Sequence, residues 1–469
     1  LYVVLSFLSR IAAAVGATLI VPTLLAVALG EWRMASCFAT VSAATLLGSF
    51  PGLRLSVPSE VRPSQAMVVS SLGWLLAAFI GSLPYHLSGY MSLLDAYFES
   101  MAGFTTTGMT LFSNLESLPR SLLFWRAFTQ WLGGAGVILF LLLFVVPGGV
   151  GVWRLYLAEA REERLTVRAW DTVKNIWAIY AGYTAACAAL LVAVGIDPFE
   201  AVCHSFTVLS TGGFSTRTAS IEAFNNPAAE VVLVAFMIIG GTNFLVHSLL
   251  VRREFRRALS NTELRAMLVI LAASSALISV DLLRTYDPLT SVRLAVFQAA
   301  SIMTTTGYTT IDINLLPSLS QAVLLVLMVV GGSLCSTAGA VKVARITVLA
   351  KASYREVLKA ILPSSAVKPL KIGGKVLELD DALRVAGFFF AYMLMASIAT
   401  LIVAAEGHSL AAALSAVLSA QGNVGPAYIS LFSLGPTAKA TLIALMWAGR
   451  LELMPVLVLF TTRAWRELA

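Results

Sequence analysis

Long apolar runs alternate with short polar breaks along almost the whole chain. The runs 231–251 and 388–405 each hold close to the ~20 residues that carry a helix across ~30 Å of hydrocarbon. The pattern predicts paired spans at 67–83 and 122–145, 173–194 and 228–251, 264–283 and 321–349, and 383–404 and 437–461. Two further spans, 1–29 and 35–49, precede them. Between the members of each pair lies a shorter apolar segment: 93–104, 198–209, 291–303 and 409–420. Segments of about 12 residues are too short to cross a bilayer and suit re-entrant helices.

Each short segment runs into a turn. Three are near-copies: Thr105-Thr106-Thr107-Gly108-Met109, Ser210-Thr211-Gly212-Gly213-Phe214 and Thr304-Thr305-Thr306-Gly307-Tyr308. The fourth, Gly422-Asn423-Val424-Gly425-Pro426, lacks threonine. The even spacing of Gly108, Gly212, Gly307 and Gly425 is that of an internal repeat. The predicted architecture is an all-α polytopic membrane protein. Two extra transmembrane helices (1–62) precede four membrane–pore–membrane repeats around a pseudo-fourfold pore, at 63–150, 151–258, 259–375 and 376–469. The third repeat is expected to have a broken last helix.

Irregular backbone at membrane depth survives only inside protein or along a water-filled cavity. Four turns converging on one axis meet that condition. A ring of backbone carbonyls can replace the water shell of a potassium ion. Glycine reaches the positive φ that aims such carbonyls, which accounts for the four turn glycines. The half-helices point their partially negative C-terminal ends at the same place and favour a cation. The candidate ion-lining residues are Thr106, Thr107 and Gly108; Ser210, Thr211 and Gly212; Thr305, Thr306 and Gly307; and Asn423, Val424 and Gly425.

Composition agrees with the membrane. The 469 residues are 58% hydrophobic and 12% charged, against about 25% charge in soluble proteins. The net charge of +7 is not that of a nucleic-acid arm, because the cations are spread over alternate loops. They are Arg154, Arg161, Arg164 and Arg168; Arg252, Arg253, Arg256 and Arg257; Lys351, Arg355, Lys359, Lys368, Lys371 and Lys375; and Arg463 with Arg466. Such loops mark the cytoplasmic side and place the turns outside, with Arg217, Arg284 and Arg293 as exceptions. Residues 1–8 lack a cationic start and a cleavage site, and read as a first membrane helix. The missing initiator Met is expected of a slightly trimmed chain. Cys37, Cys187, Cys203 and Cys335 have no zinc-ligand spacing and read as small packing residues. No nucleophile, base or metal cluster converges in the spans, so an enzyme is not expected.

The last span of the third repeat reads Gly331-Gly332-Ser333-Leu334-Cys335-Ser336-Thr337-Ala338-Gly339-Ala340-Val341-Lys342. Each Gly weakens a helix by ~1 kcal/mol relative to Ala. A broken helix forming a flexible loop is expected, with close small-residue packing as the alternative. Arg450 lies inside the last span, where an ionisable residue is expensive and a functional candidate. Its alternatives are a local pair with Glu452 or snorkelling to an interface. Glu99 and Glu200 read as cation-attracting mouth residues or helix caps. His204 and His247 read as packing residues. Gly373-Gly374-Lys375 lacks the spacing of a phosphate loop.

These turns, with Gln130-Trp131-Leu132-Gly133-Gly134 and Gly331-Gly332-Ser333, resemble the Trk/Ktr/HKT family of potassium transporters over nearly the whole chain. The two leading spans make it more similar to the TrkH branch than to the KtrB branch. The resemblance implies a potassium-selective uptake subunit of the plasma membrane, lying in the lipid bilayer as a homodimer. It also implies cytosolic nucleotide-binding regulatory subunits, with the basic inner segment 351–375 as a docking surface. K+ in the pore would be the only bound species. A gating loop is implied at Gly331, Gly332, Ser333, Ser336, Thr337 and Gly339, with Arg450 beside it. Family members with serine at the position of Gly108 pass sodium, so glycine implies potassium preference. The alternative function is a secondary transporter coupled to H+ or Na+. It calls for inverted repeats, whereas these repeats share one topology.

Overall fold

The computed structural model describes residues 2–56, 62–145, 169–361, 363, 369–373 and 375–466. Helices Tyr2–Thr18, Ile20–Ala28 and Trp32–Leu53 lead. The first repeat then comprises Pro63–Leu87, the half-helix Leu93–Phe104 and Arg120–Val145. The second comprises Ala169–Ala193, the half-helix Pro198–Leu209, and Pro227–Gly241 continued by Phe244–Val251. The third has Thr262–Leu282, Pro288–Met303, Ser318–Val330 and Val343–Ile361. The fourth has Leu379–Ala404, Leu410–Gly422, Pro436–Arg450 and Met454–Leu459. The only strands among the described residues are Lys371–Ile372 and Lys375–Val376, paired antiparallel.

Side chains explain where the half-helices begin. Ser92, Asp197, Asp287 and Ser409 each accept an amide of the first turn, supplying one of the partners a helix start lacks. Pro198 and Pro288 follow two of these caps, where proline loses no hydrogen bond. The cap at Asp287 starts the third half-helix at Pro288, ahead of the expected Ser291.

Polarity is distributed as a bilayer requires. Leu47, Val231, Leu289, Phe390 and Leu401 face outward and are largely exposed, while Thr105, Thr106 and Thr107 are fully buried. Six helices among the described residues are long and apolar enough to cross a membrane. The chain is a multi-pass, predominantly helical membrane protein.

Three of the paired spans are broken. The third repeat parts between Val330 and Val343, as its sequence predicts. The span 228–251 also parts, at Thr242 and Asn243, and the span 437–461 parts after Arg450, where Glu452 and Leu453 take positive φ. These last two breaks are corrections to the sequence reading. The cause of the first is tertiary, since the Ser333 amide donates to the Gly241 carbonyl and the Phe244 amide to the Cys335 carbonyl. Arg154, Arg161, Arg164, Arg168 and Lys368 lie outside the described residues.

Outer helices fit the half-helices through glycine. A Cβ on Gly133 would overlap the Phe104 carbonyl, and one on Gly449 would overlap the Gln421 carbonyl. At Gly240 the Leu209 carbonyl would stand 3.0 Å away. Each of these carbonyls lies at or near the end of its half-helix. Carboxylates tie other helix ends: Asp281 accepts the Ser320 amide and hydroxyl, and Glu406 accepts the Gly435 and Ala438 amides. Glu31, from the leading helices, accepts the Arg120 and Ser121 amides at 2.8 and 3.0 Å.

Two outcomes follow from this packing. Glu31→Ala should lower stability by about 1–2 kcal/mol, the loss typical of a helix cap, read as an earlier thermal transition in detergent; an unchanged transition removes Glu31 from the docking of the leading helices. Gly133→Ala should abolish the monodisperse peak in size-exclusion chromatography. Gly136→Ala should not, because its Cβ would meet only the Trp74 ring at an ordinary 3.7 Å.

Candidate functional site

The four turns share one backbone design. Each half-helix ends on a residue in the left-handed region: Thr106 at φ 52°, Thr211 at 52°, Thr305 at 58° and Asn423 at 54°. The next amide reaches back to a helix carbonyl. Thr107 bonds Ala102 at 2.8 Å, Gly212 bonds Thr207 at 2.8 Å, Thr306 bonds Ser301 at 2.9 Å and Val424 bonds Ser419 at 2.8 Å. This is the Schellman closure of a helix, which normally places glycine at the left-handed position. Threonine there carries strain of roughly 1–2 kcal/mol. Strain of this kind persists where the surroundings over-determine the backbone.

A second positive φ follows two residues later, at Gly108 (79°), Gly213 (74°), Gly307 (81°) and Gly425 (112°). The register of the second turn is therefore corrected. Its left-handed glycine is Gly213, and Gly212 stands where the other turns have Thr107, Thr306 and Val424.

The turns interlock in sequence order. A Cβ on Gly108 would overlap the Gly212 carbonyl oxygen, one on Gly213 the Thr306 oxygen, and one on Gly307 the Val424 oxygen. A Cβ on Gly425 would lie 2.7 Å from the Thr107 oxygen, which closes the cycle. The structure thus brings together Thr106, Thr107, Gly108, Thr211, Gly212, Thr305, Thr306, Gly307, Asn423, Val424 and Gly425 in one closed ring. Ser210 lies on the half-helix side of it, its hydroxyl donating to the Phe206 carbonyl at 2.8 Å.

The segment between Val330 and Val343 packs against this ring. The Gly339 amide donates to the Thr305 hydroxyl at 2.9 Å, and the Thr211 hydroxyl donates to that of Thr337 at 3.2 Å. A Cβ on Gly339 would overlap the Gly422 carbonyl and come within 3.1 Å of Asn423. Gly331, Cys335, Ala340 and Lys342 all take positive φ. The Val341, Lys342 and Val343 amides fold back onto the Val329, Val330 and Gly332 carbonyls. Ser333 anchors the segment to Gly241, and the Ser336 hydroxyl donates to the Ser333 carbonyl. Gly331 and Gly332 leave no room for a Cβ beside Ala340 and Ala338.

Arg450 is buried and donates to two carbonyls, Thr337 of this loop at 2.6 Å and Gly133 of the first repeat at 3.0 Å. The suggested Arg450–Glu452 pair is not what forms. Glu452 instead binds Lys342 at 3.0 Å and Arg345. The last break in the fourth repeat therefore grips the loop at its middle through Arg450 and at its end through Glu452.

Glu99 is not an open mouth residue. It is buried, pairs with Arg126 at 2.9 Å, and accepts from the Thr110 hydroxyl and the Leu111 amide. Glu200 pairs with Arg217. His204 bonds the Glu200 carbonyl and the Ser215 hydroxyl, and His247 bonds the Ile239 carbonyl, so both serve packing. Sequence reasoning gave no role to Arg126, Gln130 or Gly213. A cation and an amide one turn apart on an apolar helix were the available signal for the first two.

The model for the TrkH family, described as a cation transport protein, matches residues 35–466. A Trk system potassium uptake protein TrkH from Halomonas elongata is 37% identical over 424 residues, covering 87% of each chain. The protein of that name from Escherichia coli K12 is 35% identical over 422 residues, again 87% of each. The crystal structure of the potassium transporter TrkH from Vibrio parahaemolyticus superposes with a TM-score of 0.90, at 31% identity and 99% coverage of both chains. Those relatives are transporters rather than enzymes, and the interlocked turns, the broken third repeat and these matches together make this chain a member of the TrkH family of cation transport proteins.

Proposed function

We propose that the chain is a potassium-selective, channel-like uptake subunit of the plasma membrane, in which the four turns form the ion filter and the 331–342 segment forms the gate. The closed cycle of glycine-to-carbonyl contacts supports this reading best. Four equivalent carbonyls, those of Thr107, Gly212, Thr306 and Val424, lie within one ring. A cation shedding water there would meet oxygens from every repeat. The relatives named above are potassium uptake proteins and point to the same cargo.

Potassium enters from outside, loses water at the ring, and passes to the cytoplasm when the loop moves aside. The membrane potential, ~2.3 kcal/mol per charge per 100 mV, drives it, and no covalent step is required. Arg450 adds a positive charge beside the loop and two bonds that hold it. A homodimer and a cytosolic nucleotide-binding regulator complete the proposal. The regulator would dock on the basic inner surface that includes Val343–Ile361 and the Lys371–Val376 hairpin.

Purified protein in proteoliposomes tests both parts. Gly108→Ser would set a side chain against the Gly212 carbonyl at a positive φ and force the ring open. Sodium flux should rise relative to potassium; an unchanged ratio removes the filter assignment. Arg450→Ala deletes two charge-assisted bonds and should raise potassium flux without regulator by about tenfold or more. Wild-type flux in that variant would show that Arg450 does not hold the gate.

A further inference from the structure

The second turn carries glycine, Gly212, where its sisters carry a side chain, and a residue of the first repeat explains the difference. Gln130 is buried on Arg120–Val145. Its Nε2 donates to the Gly212 carbonyl at 2.6 Å, and its Oε1 accepts the Phe214 amide at 3.0 Å. A Cβ on Gly212 would overlap this carboxamide. That is why glycine stands where Thr107, Thr306 and Val424 occupy the other turns. Gly212 is not in the left-handed region, so its backbone alone does not demand glycine.

One turn along the same helix, Arg126 donates to the Ser215 carbonyl at 2.9 Å and lies 4.1 Å from the centre of the Phe214 ring. Glu99 holds that guanidinium at 2.9 Å with both partners buried. The helix face that carries Gln130 is therefore fixed against the second turn at three successive backbone groups: the Gly212 carbonyl, the Phe214 amide and the Ser215 carbonyl. Among the described residues, no side chain donates to the equivalent carbonyls of Thr107, Thr306 or Val424.

We propose that Gln130 is a positioning residue that sets ion preference: its carboxamide fixes the Gly212 carbonyl and shares its lone pairs, so the ring presents three unencumbered oxygens and one weakened one. This rests on the filter reading above. A carbonyl already accepting a hydrogen bond offers a weaker field to an ion. Weak-field sites favour the larger, more easily dehydrated potassium over sodium, and field strength is one of the two controls argued for such rings, beside cavity size. Freeing the Gly212 oxygen strengthens its field and also lets it close around a smaller ion. Both effects favour sodium.

Three full-length variants test this in proteoliposomes. Gln130→Met keeps the volume and removes both hydrogen bonds. Gln130→Glu keeps an acceptor for Phe214 but replaces the donor with negative charge beside the Gly212 oxygen. Gly212→Ala leaves Gln130 in place chemically but pushes its carboxamide off the carbonyl. The potassium-to-sodium flux ratio should fall about fivefold in Gln130→Met, the weight of one neutral hydrogen bond, further in Gln130→Glu, and in the same direction in Gly212→Ala. The difference between potassium and sodium in raising the melting temperature of detergent-solubilised protein should shrink in the same order. Unchanged ratios in folded Gln130→Met and Gln130→Glu overturn the proposal. Failure of all three variants to fold also overturns it, by assigning the carboxamide to scaffold alone. Gly108→Ser separates the two readings. If it shifts the ratio while the Gln130 variants do not, only the role of Gln130 fails; if it too leaves the ratio unchanged, the filter reading fails.

Discussion

The contact between one turn's glycine and the next turn's carbonyl governs this structure. At three of the four junctions a methyl group would overlap the neighbouring oxygen, and at the fourth it would come within 2.7 Å. Such a contact tolerates little error in height or rotation. The half-helices must end at a common level, which their caps and Schellman closures provide. The outer helices must then approach the half-helix ends closely, which Gly133, Gly240 and Gly449 permit. The long apolar spans supply the membrane solvent match, but the glycines determine how near the polar backbones come.

Polar and charged groups fill the interior that this ring creates, and the charges around the turns and the loop bring partners with them. A buried ion pair is weak evidence for stability and better evidence for a fixed geometry. Glu99 and Arg126 fit that description, since between them they bond three groups around the first and second turns: the Thr110 hydroxyl, the Leu111 amide and the Ser215 carbonyl. Arg450 is different, because its bonds run to two carbonyls. One carbonyl belongs to the loop and the other to the first repeat, so any movement of the loop breaks a bond to a buried cation. Glu452, bound to Lys342 and Arg345, ties the same loop to the start of Val343–Ile361. On the proposed reading, a pull on that inner helix reaches the gate through this carboxylate.

Much of this was legible in the chain. Two half-helices, Leu93–Phe104 and Pro198–Leu209, were readable to the residue because a cap precedes each and a strained turn follows. The break at 331–342 announces itself by its glycines and hydroxyls. The breaks at Thr242 and after Arg450 carry marks of a similar kind, Gly240-Gly241-Thr242-Asn243 in one and Arg450, Glu452 and Pro455 in the other, yet each lies in a run long enough to read as one continuous span. The instruction for the first of them lies in the loop of the next repeat, whose Ser333 and Cys335 take up the freed backbone groups. The register of the second turn was hidden for a similar reason. Two adjacent glycines, Gly212 and Gly213, both suit a turn, and only the position of Gln130 says which one needs positive φ and which one needs empty space.

Four repeats in one chain can diverge where four identical subunits cannot. The left-handed positions show what that freedom permits. Thr211 and Thr305 bond the loop, whereas Asn423 bonds Thr107 and the Met446 carbonyl. The backbone ring keeps its near-fourfold form because its closures use main-chain groups common to every repeat, apart from the Ser419 hydroxyl that accepts the Gly425 amide. Side chains then break the symmetry without disturbing that form: the loop engages two threonines, Arg450 reaches across to the first repeat, and Gln130 takes one carbonyl of the second. A symmetric ring supplies a place for an ion to lose its water. Asymmetric neighbours can bias which ion does so and when the path beneath it opens, because each acts on one quarter of the ring while the other three hold its shape.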